Sequence, residues 1–296
     1  MELRLDLSAI RENARRVRER VDGTVLGVVK GAGARREVVD AFVEAGVDAI
    51  AVSRVEHLRA LQHRDVDLVM LRVPAKSEIA DVVDAADLTL HASLEVVRRA
   101  QREAVRQGTV HRIVPLIDAG DHREGIELDQ AEARVGQCED LAGIDVERVG
   151  VNLGCFGDRP DPRAVRRVAD RFPEYPLSVG GSGMLLIHDS LPDSVSTYRI
   201  GDAILTGKWL ETPIPGLRRN TVELRAEVLA SRADESVVDV GSVNSDPRHL
   251  LPKGGFAIDR WTTEQAVVTD AFDEGELVPF EVEYDALATT LNSTFV

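Results

Sequence analysis

Residues 24–33 read Thr24-Val25-Leu26-Gly27-Val28-Val29-Lys30-Gly31-Ala32-Gly33. An apolar, partly β-branched run, Thr24–Val29, ends in a lysine and three small residues. A short, continuous apolar run bounded by turn residues is the pattern of a strand buried on both faces, as in a parallel sheet. The next segment, Arg35–Ala45, carries Val38, Ala41, Phe42 and Ala45 at helical spacing. This strand, turn and helix then recur along the chain. Further strand-like runs are Asp48–Val52, Asp67–Arg72, Leu88–His91, His111–Asp118, Arg148–Leu153, Leu177–Gly180 and Thr197–Ile200. Helical stretches lie between them at Val55–Gln62, Ser77–Val83, Ser93–Gln107 and Pro162–Arg171. Eight β-then-α units over about 180 residues give a (β/α)8 TIM barrel as the expected fold, in the α/β class. A doubly wound open sheet is the runner-up, because pattern alone does not show closure.

Outward from the barrel, Leu7–Val21 reads as a helix capped by Asp6 or Ser8. Pro213, Pro215 and Gly216 form a breaker cluster, after which the pattern favours strands. These are Thr221–Leu229, Ser236–Gly241, Ala266–Thr269 and Val278–Tyr284. The expected organisation is a barrel over residues 1–212 and a small C-terminal β domain over residues 217–296.

The chain of 296 residues has 36 Lys+Arg against 51 Asp+Glu, a formal net charge of −15. That charge argues against binding to nucleic acid or to an anionic membrane surface. The N-terminus has no apolar signal segment, and no apolar run reaches membrane-spanning length. A soluble, cytoplasmic protein is the expectation. The two cysteines, Cys138 and Cys155, form no disulfide framework or metal motif. Lys30, Lys76, Lys208 and Lys253 are the only lysines, against 32 arginines, so each lysine merits separate inspection. Scarce lysine with abundant carboxylates is a composition suited to high salt.

Lys30 falls at the C-terminal end of the first barrel strand, where barrel enzymes carry their catalytic groups. A lysine surrounded by protein at that point is a usable amine nucleophile. Ser178-Val179-Gly180-Gly181-Ser182-Gly183 follows the seventh strand, and Arg199-Ile200-Gly201-Asp202 follows the eighth. Glycines there let backbone amides approach an anion, and barrel phosphate sites commonly use these two loops. An amine facing a phosphate cradle suits pyridoxal phosphate, whose aldehyde condenses with lysine.

In these residues the chain resembles the fold-type III pyridoxal-phosphate enzymes of the alanine racemase superfamily, most closely the ornithine racemase-like branch. The shared features begin with the strand around Lys30, Asp48–Glu56 (DAIAVSRVE) and Leu71-Arg72-Val73-Pro74. They continue through Asp118–Gly125 (DAGDHREG), Gly150–Gly157 (GVNLGCFG) and Gly180–Gly183. Arg199–Ile204 and Tyr284-Asp285-Ala286-Leu287 complete them. The resemblance implies that Lys30 forms the Schiff base and serves as base on one face. It implies that Arg199 bonds the pyridine nitrogen, and that Ser182, Gly183, Gly201 and Asp202 hold the phosphate. Arg123 would lie near the cofactor's phenolic oxygen or the substrate carboxylate, with Asn152 against the ring. A homodimer acting on a small-molecule amino acid, basic or small, is implied as well.

The chain departs from the family at two points. Alanine racemases have a tyrosine four residues after the lysine, where this chain has Ala34. Their second catalytic tyrosine comes from a C-terminal segment shortened here between about Ser231 and Val240. The only tyrosines are Tyr175, Tyr198 and Tyr284. Cys155, Tyr284 or His249 would have to act on the opposite face. The leading expectation is a pyridoxal-phosphate-dependent amino-acid racemase. A lyase or decarboxylase on the same scaffold, or a non-catalytic cofactor-binding protein, are the alternatives.

Overall fold

The computed structural model describes residues 1–154 and 158–293. Eight parallel strands follow one another in the chain: β1 (Thr24–Val28), β2 (Ala49–Val52), β3 (Asp67–Met70), β4 (Leu88–His91), β5 (His111–Asp118), β6 (Val149–Asn152), β7 (Leu177–Gly180) and β8 (Val195–Ile200). Each pairs with the next, and β8 returns to β1 through Thr197↔Thr24 and Arg199↔Leu26. The sheet is a closed barrel, which removes the open-sheet alternative.

Side chains on a strand alternate between faces, and the core divides accordingly. Leu26, Val28, Ala51, Val69, Leu88, Leu90, Val114 and Leu116 form one buried cluster inside the barrel. Val96, Val97, Ala100, Ile113 and Cys138 belong to another, between the wall and its surrounding helices. The sequence signal was strong because most positions on both faces of the wall are apolar.

The chain divides into two compact units. One comprises Ala14–Lys30 and Phe42–Gly201, and the other Met1–Asn13, Gly31–Ala41 and Asp202–Val296. In the second unit the strands are β9 (Val222–Ser231), β10 (Ser236–Val238), β11 (Leu250–Pro252), β12 (Ile258–Trp261), β13 (Ala266–Val268) and β14 (Leu277–Val282). They form an antiparallel sheet in the order β11-β14-β9-β10-β13-β12. Along β9, Val222, Leu224, Ala226 and Val228 are buried at every second position.

An N-terminal strand, Glu2–Leu5, pairs antiparallel with β9 through Leu3↔Leu224. Four residues before a helix carried too little pattern to reveal it. The helix Leu7–Arg20 follows, and the Asp6 carboxylate accepts the Ala9 N–H at 2.9 Å, so Asp6 is its cap. Asn13, fully buried, donates to the Ile204 and Arg218 carbonyls and accepts the Arg218 N–H.

Tyr284, read from sequence as the end of a strand, instead begins the helix Tyr284–Ser293. The alternation of β14 stops at Val282, and Ala286, Leu287, Thr290 and Leu291 are then buried at helical spacing. Among the described residues, no helix is long and apolar enough to cross a membrane.

Candidate active site

Pairing register places the inward-facing residues of the barrel. Leu26 on β1 lies beside Arg199 on β8, which lies beside Gly180 on β7, which lies beside Asn152 on β6. Leu26 belongs to the interior cluster, so all four share that face at one level. Arg199 is the largest fully buried side chain, 2% exposed. A guanidinium is permanently charged and needs acceptors when buried. Its Nη2 donates to the Val151 carbonyl at 2.8 Å and to Asn152 Oδ1 at 2.7 Å, and its Nη1 donates to Ser178 Oγ.

Glycine makes room for this side chain. A Cβ on Gly180 would sit 2.6 Å from Nη2 and 3.0 Å from Nε of Arg199. A Cβ on Gly201 would meet the Val28 carbonyl oxygen at 2.7 Å. Gly181 has φ +112° and begins the turn into the 3-10 segment Ser182–Leu186, where Ser182 and Gly183 are buried.

Lys30 lies two residues beyond the last residue of β1, Val28, and opens a 3-10 turn, Lys30–Ala32. Its side chain is exposed, with no hydrogen-bond or ion-pair partner among the described residues. The other three lysines are all paired: Lys76 with Glu95 at 2.7 Å, Lys208 with Glu281 and Lys253 with Glu223. In an acidic chain this sets Lys30 apart.

Arg123 lies on the loop after β5, so it leaves the wall at the same, C-terminal end as Lys30. Its Nε is 3.2 Å from both Asp121 and Glu124. The Asp118 carboxylate accepts the Gly120 and His122 N–H groups and shapes the loop. The acidic cluster thus positions Arg123 and the backbone around it.

Two expected site residues lie in the other unit. Asp202 accepts hydrogen bonds from Thr206 Oγ1 at 2.7 Å and from the Leu210 N–H at 3.2 Å. Burial raises its pKa to about 6, opposed by those two bonds. Its carboxylate is therefore engaged locally, and what it could offer a phosphate is its backbone amide. Tyr284 packs against the backbone just after Lys30: a Cβ on Gly31 would meet its ring at 2.7 Å and its hydroxyl at 3.2 Å. His249 pairs with Glu283 at 3.2 Å. Ala34, where the resemblance expects tyrosine, has φ +55°. Cys155 lies outside the described residues.

Sequence reasoning missed Ser178 and the Val151 carbonyl as Arg199 acceptors. The signal was present in Ser178, a hydroxyl at an inward position of an otherwise apolar strand.

The family model for the alanine racemase N-terminal domain matches residues 5–208. The chain belongs to this family. Within and around the alanine racemase family, an ornithine racemase from Acetoanaerobium sticklandii is 23% identical, covering 99% of this chain and 97% of that protein. A lysine racemase from Thermotoga maritima is also 23% identical, covering 99% and 96%. Among solved structures, a D-threonine aldolase from Filomicrobium marinum superposes with a TM-score of 0.83 at 14% identity, covering 99% and 89%. At that identity the likeness is one of fold.

Family membership raises the question of whether the residues suit pyridoxal phosphate. They do. The set holds an amine unpaired among the described residues, a buried permanent cation and a glycine-lined turn with a hydroxyl, and a Cβ at Gly180 would intrude on it.

Proposed function

We propose that this protein is a pyridoxal-phosphate-dependent amino-acid racemase. The carrying observation is Lys30, the one lysine without a partner among the described residues, at the end of the barrel strand neighbouring Arg199. Pyridoxal phosphate, when bound, supplies an aldehyde that joins an amine and a ring that takes up the electron pair left when a Cα–H bond breaks.

Lys30 Nζ would hold the cofactor and serve as the base for the substrate's α-proton on its own face. Arg199, fixed by Ser178, Val151 and Asn152, would donate to the ring nitrogen while keeping its own proton, because guanidinium does not deprotonate in proteins. Ser182, Gly183, Gly201 and the Asp202 amide would hold the phosphate. Arg123, anchored by Asp121 and Glu124, would face a carboxylate or phenolate oxygen. Tyr284 and Cys155 are the candidates to return a proton on the opposite face. The relatives named for ornithine and lysine support a basic substrate, and the family resemblance supports a homodimer.

The second reading is a one-base lyase or decarboxylase. The shortened segment between about Ser231 and Val240 favours it, because the second catalytic tyrosine that the resemblance expects there is missing. Single enantiomers of basic and small amino acids, incubated with cofactor-loaded protein in D2O, separate the readings. Racemisation predicts the opposite enantiomer with deuterium at Cα. Aldehyde or CO2 release without inversion selects the second reading, and absence of both removes enzymatic turnover on these substrates.

A further inference from the structure

The helix layer outside β4 and β5 contains a cleft that the barrel-mouth site does not use. Leu88 and Leu90 point inward, so Thr89 and His91 face the helices. Thr89 Oγ1 bridges two buried imidazoles, 2.7 Å from His91 Nε2 and 2.9 Å from His111 Nε2. Burial keeps both rings neutral, lowering His91 to about 3 and His111 to about 4. His91 is 1% exposed, and its Nδ1 has no hydrogen-bond partner. Thr89 has one proton to give. Donated to His91 Nε2, it leaves the ring proton on Nδ1, as a donor seeking an acceptor.

His91 lines a cleft of about 440 Å³ with Ser93, Arg98, Gln130 and Arg134. Ser93 is the N-cap of the helix Leu94–Gln107, and its side chain makes no cap bond. The positive end of a 14-residue helix therefore opens onto the cleft. Arg98 has no ion-pair partner among the described residues, and Arg134 reaches only the neutral Gln137, at 3.3 Å. Of the two glutamates at the rim, Glu95 is taken by Lys76 at 2.7 Å and by Arg99 at 3.8 Å. Glu127 remains as the opposing charge, so a ligand with two negative charges competes there better than one with a single charge.

We infer that this cleft binds a small oxyanion, a phosphate or the phosphate group of a monoester, through Arg98, Arg134, the helix N-terminus and His91 Nδ1. Helix ends and arginine forks together form a recurrent phosphate-binding arrangement. Gly125 and Glu127, at the cleft, directly follow the Arg123 loop, so an occupant would lie beside a segment of the candidate active site.

The test is calorimetric titration of cofactor-loaded protein with inorganic phosphate, and separately with glycerol phosphate. Wild type is compared with the double variant Arg98→Gln/Arg134→Gln and with Ser182→Ala. One site is expected, weakened at least tenfold in the double variant and unchanged in Ser182→Ala. Both arginines are exposed and make no ion pair among the described residues, so the double variant should keep the wild-type thermal midpoint. Tighter binding of glycerol phosphate would assign the site to a monoester, and equal binding would assign it to phosphate itself. Equal affinity in wild type and double variant, or no binding to wild type, overturns the inference. Loss confined to Ser182→Ala would place the anion at the barrel mouth, and also overturns it. The readout does not depend on turnover, so it stands apart from the racemase reading.

Discussion

The barrel wall buries polar groups on both faces and treats them in opposite ways. On the inner face, Arg199 stays charged, because removing its proton costs more than supplying acceptors. Ser178, Val151 and Asn152 supply them, and Gly180 clears the space. On the outer face, His91 and His111 give up their charge and share one threonine hydroxyl. A guanidinium imposes its requirements on the surrounding sequence. An imidazole yields to its surroundings. Inner-face substitutions should therefore strike stability at any pH, and the outer face should reveal itself on acidification.

The largest expected effect is Arg199→Met. It leaves the buried Ser178 hydroxyl and Val151 carbonyl and the half-buried Asn152 amide oxygen without their donor and should cost on the order of 3–5 kcal/mol, read as the shift in urea midpoint at pH 7. A loss below about 1 kcal/mol would show that the acceptors find other donors and would break the contrast.

Next comes the pH dependence of the outer face. Well above pH 6.5 both histidines are neutral folded and unfolded, and they contribute no penalty. Below it the unfolded chain takes up protons that the folded rings refuse until about pH 4 for His111 and about pH 3 for His91. Stability should fall through that window, by on the order of 3 kcal/mol from His111 between pH 6.5 and 4. His111→Asn should flatten the wild-type slope between pH 6.5 and 4. Parallel slopes would show that carboxylates alone set the acid response.

Gly180→Ala sharpens the inner side of the comparison. Its methyl would press on Arg199 Nη2 and should cost about 1–3 kcal/mol, with weaker cofactor binding. A neutral result would mean that Arg199 has room to move. The smallest effect on stability is expected at the proposed centre itself. Lys30→Ala removes an exposed side chain with no partner among the described residues and should shift the unfolding free energy by less than about 0.5 kcal/mol.

Much of the barrel was legible because apolar parallel strands and amphipathic helices have distinct periods. All eight runs from Thr24 to Ile200 correspond to strands in a closed ring. The N-terminal strand Glu2–Leu5 was hidden because only its partner β9 gives it a reason to be extended. β11 and β12 were missed for a related reason. Pro252 interrupts the first, and the second is mostly exposed. At the site, Lys30 and Arg199 stood out as chemistry at strand ends. The grip on Arg199 was not legible, because Ser178, Val151 and Asn152 meet it only through strand register.

The central claim rests on Lys30, and absorbance spectroscopy tests it directly. Pyridoxal phosphate is titrated into wild type and into Lys30→Ala, each confirmed folded by its thermal midpoint. The account predicts a stoichiometric, long-wavelength band from a lysine-bound pyridoxal group in wild type, absent from the variant. No such band in wild type, or an equal band in a folded Lys30→Ala, would contradict it.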